Sequence, residues 1–331
     1  MSQGEEVQRV GGALVMPLVV LRVRGGDAKD FLHRVLTSDV CRLEPGQGQP
    51  SALLTSTSHV VATLTLLCFE ESLLLITPDA CADALYHGLD RLLMADDVEV
   101  EQLEEGVLGL FGSSVEEDPV LSTLASGSPD THAPLSLGGF TTHAVCDDHL
   151  GMPGLLLIVQ AEAESLAWAV AQGFAAMDAT SYEVLRVKAG SPCFPHDVNE
   201  ETLLLEAGQL ARVSFDKGCY IGQEPVCRIH NRGQVNRRLV GLVFHTRQQP
   251  VAGSELSHPL KEAAGRVTSV ARNPGDEAFI GLGYVHRKVL AAGGALRLGM
   301  EGESVDVVPL PHGVGLWPPR ILPHYGKPAR S

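Results

Sequence analysis

The first third of the chain carries short runs of apolar residues whose spacing changes between that of strands and that of helices. Residues 18–24 alternate and are rich in β-branched side chains, which predicts a strand. Gly25-Gly26-Asp27 predicts a turn, and Asp27 is placed to cap a helix with Phe31, Leu32, Val35 and Leu36 on one face. Strands are further predicted at residues 51–57, 60–69, 73–77 and 98–103, and a helix from 79 to about 95. This order is typical of an α+β unit of ferredoxin-like type.

The rest of the chain predicts a second such unit, followed by a region of short strands and turns. Strands at residues 106–112 and 155–160 and a helix at 161–174 indicate a second, similar half. After Arg237, short strands at 239–246, 265–272, 278–286 and 305–308 are separated by Gly, Pro and Ser turns. That spacing predicts a small β-barrel or sandwich. From residue 309 onward, frequent prolines predict an extended or loose tail.

Composition narrows the classes of partner. The 331 residues are 44% hydrophobic and carry a formal net charge of −15, which argues against a general binder of nucleic acid or of anionic membranes. No apolar run approaches the roughly 20 residues that a membrane span needs. Residues 1–9 are polar and acidic, unlike a signal or transit peptide. We therefore expect a cytoplasmic protein with neither nucleic acid nor membrane among its partners.

The spacing of the cysteines predicts no disulfide framework. They stand singly at positions 41, 68, 81, 146, 193, 219 and 227, with no C-x-x-C pair. Neither a disulfide scaffold nor a zinc ribbon is expected, no metal site is predicted, and each cysteine is by default a reduced core thiol.

The charge reverses its sign between residues 208 and 240. Six basic residues oppose Asp216 and Glu224, so the segment carries 6 − 2 = +4 within an acidic chain. The six are Arg212, Lys217, Arg228, Arg232, Arg237 and Arg238. Such a face is solvated, balances the acidic domains nearby, or forms a pocket for a small anion.

The segment Lys217-Gly218-Cys219-Tyr220-Ile221-Gly222-Gln223-Glu224, here called the octet, favours the third possibility. Gly218 and Gly222 permit a tight backbone path around Cys219. Pro225 suits the first turn of a helix and Gly233 its end. Cys219 is therefore predicted just before a helix N-terminus and near Lys217, both of which favour a thiolate. Cys219 and Lys217 are the candidate reactive residues.

The octet resembles the motif of the YgfZ-type branch of the aminomethyltransferase-like (glycine cleavage T-protein-like) folate-binding proteins. Arg228, Arg232-Gly233 and Asn236-Arg237-Arg238-Leu239 extend the resemblance, as do the segments 26–40 and 185–192. The resemblance implies a folate-binding module of two ferredoxin-like halves followed by a C-terminal β-barrel. The expected limits are residues 1–105 and 106–236 for the halves, 237–310 for the barrel and 311–331 for a Pro-rich tail.

The resemblance also implies a function. Tetrahydrofolate is the implied cofactor, and iron–sulfur client or assembly proteins are the implied partners, in the assembly or repair of iron–sulfur clusters. The residues carried over as cofactor-binding are Tyr182, Arg186, Lys188, Tyr220, Gly222, Gln223, Glu224 and Arg228.

Three positions depart from the family pattern. Ala62 and Thr63 stand where the T-protein branch has an acidic pair, so its aminomethyl transfer has lost a key group. Lys188 replaces a glutamate that accepts hydrogen bonds from a pterin, and lysine can only donate. Leu18 replaces an aromatic residue, whereas Tyr182 retains one that can stack on a flat ring.

Three functions remain open from the sequence. The first is a folate-binding iron–sulfur maturation factor that uses Cys219. The second is an aminomethyltransferase or another folate-dependent one-carbon transferase that relies on a different acidic group. The third is an interaction scaffold whose pocket is vestigial.

Overall fold

The computed structural model describes residues 11–137, 140–273, 278–300 and 302–310. Within them the chain forms two five-stranded antiparallel sheets with helices and a closed barrel. The predicted α+β class, with two halves and a C-terminal β-barrel, is thereby confirmed. The predicted Pro-rich tail and the acidic N-terminus lie outside the described residues.

The first sheet has the strand order β3-β4-β5-β2-β6. The elements up to residue 102 are β1 (Gly11–Met16), β2 (Leu18–Arg24), α1 (Ala28–Val35), β3 (Gly48–Leu54), β4 (Val60–Cys68), β5 (Leu73–Pro78), α2 (Asp79–Asp90) and β6 (Glu99–Gln102). Helices α1 and α2 cover one face of this sheet with buried apolar side chains such as Phe31 and Leu85. Asp27 stands at the N-cap of α1 as predicted, but its carboxylate accepts the Asp97 backbone N–H at 2.8 Å instead of capping the helix.

The second sheet has the order β1-β7-β10-β9-β8. Its elements and those that follow are β7 (Gly106–Gly112), α3 (Ser113–Glu117), α4 (Pro119–Ala125), β8 (His132–Leu137), β9 (Phe140–Asp147), β10 (Gly154–Val159), α5 (Glu162–Ala171), α6 (Ala179–Ala189) and α7 (Gln223–Arg232). Strand β1 pairs with β7 from Gly11–Gly112 to Met16–Val107. Residues 11–16 thus lie in the sheet of the second half, and the boundary at residue 105 stays a prediction.

The two sheets share an apolar cluster. Along β5, Leu73 and Leu75 face the helices, whereas Leu74 and Ile76 face a cluster that also contains Phe111 of β7. Successive side chains of a strand point to opposite faces, so both faces of this strand are buried. This explains why its sequence is continuously apolar instead of alternating.

The C-terminal part closes into a barrel of order β11-β14-β13-β12-β15-β16. Its elements are β11 (Arg237–Phe244), β12 (Glu255–His258), β13 (Lys261–Arg272), β14 (Phe279–His286), α8 (Arg287–Ala292), β15 (Leu296–Leu298) and β16 (Ser304–Val308). The short strands β12 and β15 were not predicted. Among the described residues, no helix has the length and apolarity to cross a bilayer.

Candidate functional site

The octet follows a short 3-10 helix (Leu210–Arg212) and packs against the first half of the chain. Lys217 fixes its beginning, because the side-chain ammonium donates to the backbone oxygens of Leu36 at 2.7 Å, Ser38 at 2.9 Å and His33. An ammonium has three N–H groups, so all of them are engaged. Burial lowers the pKa of Lys217 to about 8, while the charge of Asp39 opposes that shift.

Lys217 therefore has a structural role that the sequence did not predict. The sequence placed its charge beside the Cys219 thiol, whereas the structure directs its donors into the carbonyl groups at the end of α1. The ammonium also lies 5.1 Å from the centroid of the Tyr220 ring. Lys217 thus anchors the octet to the first half, and its effect on the Cys219 thiol stays a prediction.

Tyr220 forms a second anchor. Its ring is 7% exposed and lies in an apolar cluster with Leu54, Val60 and Val226. Its hydroxyl is buried and has no hydrogen-bond partner among the described residues, and burial raises the pKa of the phenol. The chain is consequently held on both sides of Cys219.

Cys219 itself is exposed and forms no disulfide. In the described ranges, its sulfur has no hydrogen-bond or ion-pair partner. It precedes α7 by four positions, so the prediction of a cysteine in a loop just ahead of a helix is confirmed. The arrangement presents a free thiol to solvent on a segment that Lys217 and Tyr220 hold in place.

Gly222 sets the entry into α7. It adopts the left-handed conformation with φ +80°, and a β-carbon there would lie 2.5 Å from the Thr55 backbone oxygen. The Ser58 hydroxyl donates to the Gly222 backbone oxygen at 2.5 Å, which ties the octet to the turn between β3 and β4. Gly218 shows neither a positive φ nor a close contact, so of the two predicted glycines only Gly222 is required by the backbone.

Gln223, Glu224 and Arg228 lie along the first turns of α7. The side chains of Glu224 and Arg228 are 91% and 53% exposed and approach each other to 3.5 Å. Such an exposed pair contributes little stability. Gln223 is partly buried, with no hydrogen bond from its side chain in the described part of the chain. These three predicted ligand-binding residues form an open surface and not an enclosed pocket.

Tyr182, on α6, packs into the apolar cluster between the two sheets. Its hydroxyl is 3.0 Å from His149 Nε2, and His149 Nδ1 is bonded to Asp147. A proton on Nδ1, facing the carboxylate, leaves Nε2 as the acceptor for the phenol. Burial raises the pKa of Tyr182. The sequence did not reveal this Asp–His–Tyr chain, because its members come from the end of β9, the β9–β10 connection and α6.

Arg186 is buried, with 1% exposure, and all five of its N–H donors are used. Its guanidinium donates twice to Glu183, to the Ser191 carbonyl at 2.7 Å, to Asp197 at 2.6 Å and to the Ser269 hydroxyl at 2.8 Å. Burial alone would lower its pKa, but Glu183 and Asp197 hold the pKa above its usual value. Every donor is engaged within the protein, and the role of Arg186 in binding the cofactor stays a prediction. Arg186 joins α6 to the barrel strand β13.

Lys188 lies near the end of α6 and is partly buried. The next turn contains Gly190 at φ +72°, against which Leu310 packs so closely that a β-carbon would lie 2.8 Å from the Leu310 side chain. Lys188 thus stands where the end of the barrel meets α6. Its ammonium has no carboxylate partner among the described residues.

The predicted site residues fall into two groups. Tyr182, Arg186 and Lys188 lie on α6, and the octet with Arg228 lies against the first half. A cleft of about 430 Å³ beside the octet is lined by residues 38–39, 42, 49, 211 and 213–216. A second cleft of about 500 Å³ beside the Arg186 network is lined by 183, 196, 249–252 and 268–270. None of the predicted site residues lines either cleft.

The surroundings of Lys217 also contain groups that the sequence did not connect with the octet. His33 Nδ1 is 3.2 Å from Asp39, and the backbone N–H of the exposed Cys41 points at the same nitrogen. Burial, and then the charge of Lys217, lowers the pKa of His33. More than 170 residues separate these groups from the octet along the chain, so no local pattern could reveal them. No group of three or more His, Cys, Asp or Glu side chains in the described residues could hold a metal ion.

Comparison with known proteins agrees with the barrel and with the whole fold. Residues 237–312 match the glycine cleavage T-protein C-terminal barrel domain. The chain is 25% identical over 294 residues to the tRNA-modifying protein YgfZ of an Enterobacter species, covering 88% of this chain and 89% of that protein. It is 24% identical over 293 residues to a putative chloroplastic transferase of Arabidopsis thaliana, covering 86% and 67%.

The chain is also similar to two aminomethyltransferases. That of Geobacillus thermodenitrificans is 27% identical over 308 residues, covering 87% of this chain and 83% of the relative. The crystal structure of the glycine cleavage system aminomethyltransferase T from Bartonella henselae superposes with a TM-score of 0.78 at 21% identity, covering 92% and 86%. At that identity the solved structure supports the fold alone.

Proposed function

We propose that this chain, which belongs to the YgfZ-type, aminomethyltransferase-like family, is a tetrahydrofolate-binding factor that assists the assembly or repair of iron–sulfur clusters. Its working group is Cys219. The observation that carries the proposal is a solvent-exposed, unpaired thiol held on a segment that is anchored at both ends.

The anchoring gives the thiol a defined position. Lys217 on one side and Tyr220 on the other are fixed by contacts with the first half, so Cys219 cannot retreat into the core. An exposed, reduced thiol suits the transient transfer or protection of iron or sulfur, both of which bind thiolate. A permanently bound cluster needs several such ligands, which a single cysteine does not supply.

The fit to tetrahydrofolate is partial. A pterin needs hydrogen-bond acceptors for its amino-pyrimidine edge, and Lys188 offers none. Arg186 is saturated, and Glu224 faces solvent. Lys188 and Tyr182 remain as the α6 residues from the predicted set that can contact a ligand, one with a cation and one with an aromatic ring. No reaction step is assigned to the folate.

The proposal is tested in a strain that lacks the gene. Wild type should restore the activity of iron–sulfur enzymes, and Cys219→Ser should not. Cys41→Ser is the matched control, because Cys41 is the other exposed cysteine of the described residues. Equal restoration by Cys219→Ser and wild type would refute the role of the thiol. Calorimetry with tetrahydrofolate tests the ligand separately, since a ligand at 100 times its Kd stabilises the folded protein by about 2.7 kcal/mol.

A folate-dependent one-carbon transferase is the second candidate, because several relatives are aminomethyltransferases. Against it, Ala62 is fully buried in the first core cluster and Thr63 is 8% exposed, so neither supplies a carboxylate to a reacting amine. Turnover of 5,10-methylenetetrahydrofolate with an amine substrate would favour the transferase. If tetrahydrofolate instead gives neither heat nor a shift in Tm, the interaction scaffold is favoured.

A further inference from the structure

Three exposed cations, here called the cationic patch, lie where the barrel meets the end of α7: Lys261, Arg287 and Lys288. The Arg287 backbone N–H donates to the Asn236 oxygen at 2.9 Å, and its side chain bonds to Gln234 in the turn that follows α7. On the other side, the hairpin that carries Lys261 reaches the end of α8 through His258, 3.2 Å from the Gly293 oxygen. The fold thus brings together cations from two distant segments.

His286 lies at the centre of this patch. Its ring accepts the Lys288 backbone N–H at 3.2 Å, and the strand register sets it opposite Arg237. Desolvation lowers its pKa, and the charges of Lys261, Lys288 and Arg287 lower it further. Gly265 pairs with Val285 across β13 and β14, so the register brings the start of β13, with Lys261, alongside the end of β14, with His286.

No carboxylate of the described residues pairs with these cations. Glu262 follows Lys261 on β13, but alternation along a strand directs the two side chains to opposite faces. Like charges held together repel one another, and a chain of net charge −15 has many carboxylates that could have paired with them. The patch is therefore suited to an anion supplied from outside.

An apolar side chain adjoins the patch and indicates the kind of anion. Leu260, immediately before Lys261 at the hairpin, is 66% exposed. Protein interfaces combine apolar anchors with arginine and other polar contacts, whereas a phosphate backbone gains nothing from a leucine. The acidic remainder of the chain also opposes the approach of a long polyanion. Both features favour an acidic protein segment over RNA.

Helix α7 connects the patch with Cys219. Its ten residues start three positions after Tyr220 and span about 15 Å. The turn after α7, residues 233–236, contacts Arg287. A partner lying along α7 therefore reaches both the cations and the thiol.

We propose that the cationic patch and Leu260 form a docking surface for an acidic, partly apolar segment of a partner protein, aligned by α7 with Cys219. The choice of Cys219 as the thiol that the partner meets rests on the proposed function. The docking surface does not depend on it.

Binding is tested with the full-length chain and a fluorescein-labelled ten-residue peptide of Glu and Leu, followed by fluorescence anisotropy. Lys261→Glu combined with Lys288→Glu should weaken binding about tenfold or more at low ionic strength, where long-range charge effects are largest. Neither lysine side chain donates a hydrogen bond within the described residues, so the milder Lys261→Gln/Lys288→Gln pair should fold normally and weaken binding less. The matched control is Arg91→Glu combined with Arg247→Glu, two exposed positions outside the patch, which should leave binding unchanged.

Three results would overturn the docking surface. The first is that wild type does not bind the peptide at low salt. The second is that the patch and control variants lose equal amounts of peptide affinity. The third is that a single-stranded RNA 12-mer binds more tightly than the peptide through the same lysines. Leu260→Ser should weaken peptide binding severalfold and leave any RNA binding unaffected. This difference distinguishes the two kinds of ligand.

Alignment is tested with the same peptide carrying an N-terminal cysteine as its 2-pyridyl disulfide. The Cys219 thiolate attacks the peptide sulfur, a protein–peptide disulfide forms, and 2-thiopyridone leaves with the bonding electron pair and takes up a proton. Site-resolved mass spectrometry should show faster labelling of Cys219 than of Cys41, and the patch variant should remove the difference. Binding with preferential labelling of Cys41 would refute the alignment by α7. The complementation assay with Cys219→Ser decides the proposed function independently.

Discussion

Gly222→Ala tests how the octet is held in place. The substitution is expected to destabilise the fold in two ways: alanine must adopt a left-handed conformation, and its β-carbon must enter an occupied space. A non-glycine residue in this conformation costs about 1–2 kcal/mol. The new β-carbon would also lie 2.5 Å from the Thr55 backbone oxygen, and the Ser58–Gly222 hydrogen bond prevents an easy separation of the two segments. Relief of such an overlap adds about 1–3 kcal/mol.

Gly233→Ala is the matched control, because Gly233 ends the same helix at φ +65° and a β-carbon there meets nothing within 4 Å. Gly233→Ala should lower the free energy of unfolding only by the cost of the left-handed conformation. We therefore expect Gly222→Ala to reduce the free energy of unfolding by about 1–3 kcal/mol more than Gly233→Ala does.

Urea unfolding followed by circular dichroism measures both losses. A second readout is the alkylation rate of Cys219, which should change in Gly222→Ala because the entry of α7 is displaced, and remain at the wild-type value in Gly233→Ala. Equal losses of stability in the two variants would refute the reasoning, since they would show that the contact with Thr55 carries no energy.

Further substitutions test the other groups of the site. Arg186→Met should cost about 3–5 kcal/mol, because it leaves Asp197 buried without its charge partner; a loss below 1 kcal/mol in urea unfolding would contradict this. Lys188→Glu should strengthen tetrahydrofolate binding in calorimetry by restoring an acceptor, while Lys188→Met, which supplies none, should not; equal affinities would remove Lys188 from the ligand site. Burial lowers the pKa of His132, so the unfolded chain binds more protons at acidic pH and stability should fall as the pH drops below about 6.5. His132→Asn should make that fall shallower and the exposed His87→Asn should not, as judged from Tm between pH 7 and 5; parallel profiles of wild type and His132→Asn would contradict it.

Much of the fold follows from local patterns. Strand β2 occupies residues 18–24 and β7 occupies 106–112, the ranges expected from their apolar runs. The barrel strands β11, β13, β14 and β16 likewise follow the turn residues that separate them. Local patterns succeeded because side-chain alternation and turn chemistry depend on residues close together in the chain. The site residues for folate and clusters, Arg186 and Lys217 among them, remain predictions.

Pairing between distant segments was beyond such patterns. The sequence showed β2 clearly, yet β1 beside it joins the sheet of the second half, because its register with β7 is decided by which apolar faces meet. The short β12 and β15 have too few residues for a periodic signal, and the barrel closes through them. Closure is a property of the whole ring of strands and not of any one of them.

The sequence alone determined the centre of interest: an octet whose cysteine precedes a helix, with a glycine needed at Gly222. These features are local, since they depend on backbone conformation and on helix ends, but the sequence predicted Gly218 equally and only the contact with Thr55 singled out Gly222. Only the tertiary structure decided what the charged residues do. Lys217 donates to a carbonyl group 181 residues away and Arg186 to a hydroxyl group 83 residues away. Both resemble ligand-binding cations in the sequence, yet burial requires each to find acceptors, and the fold supplies them inside the protein.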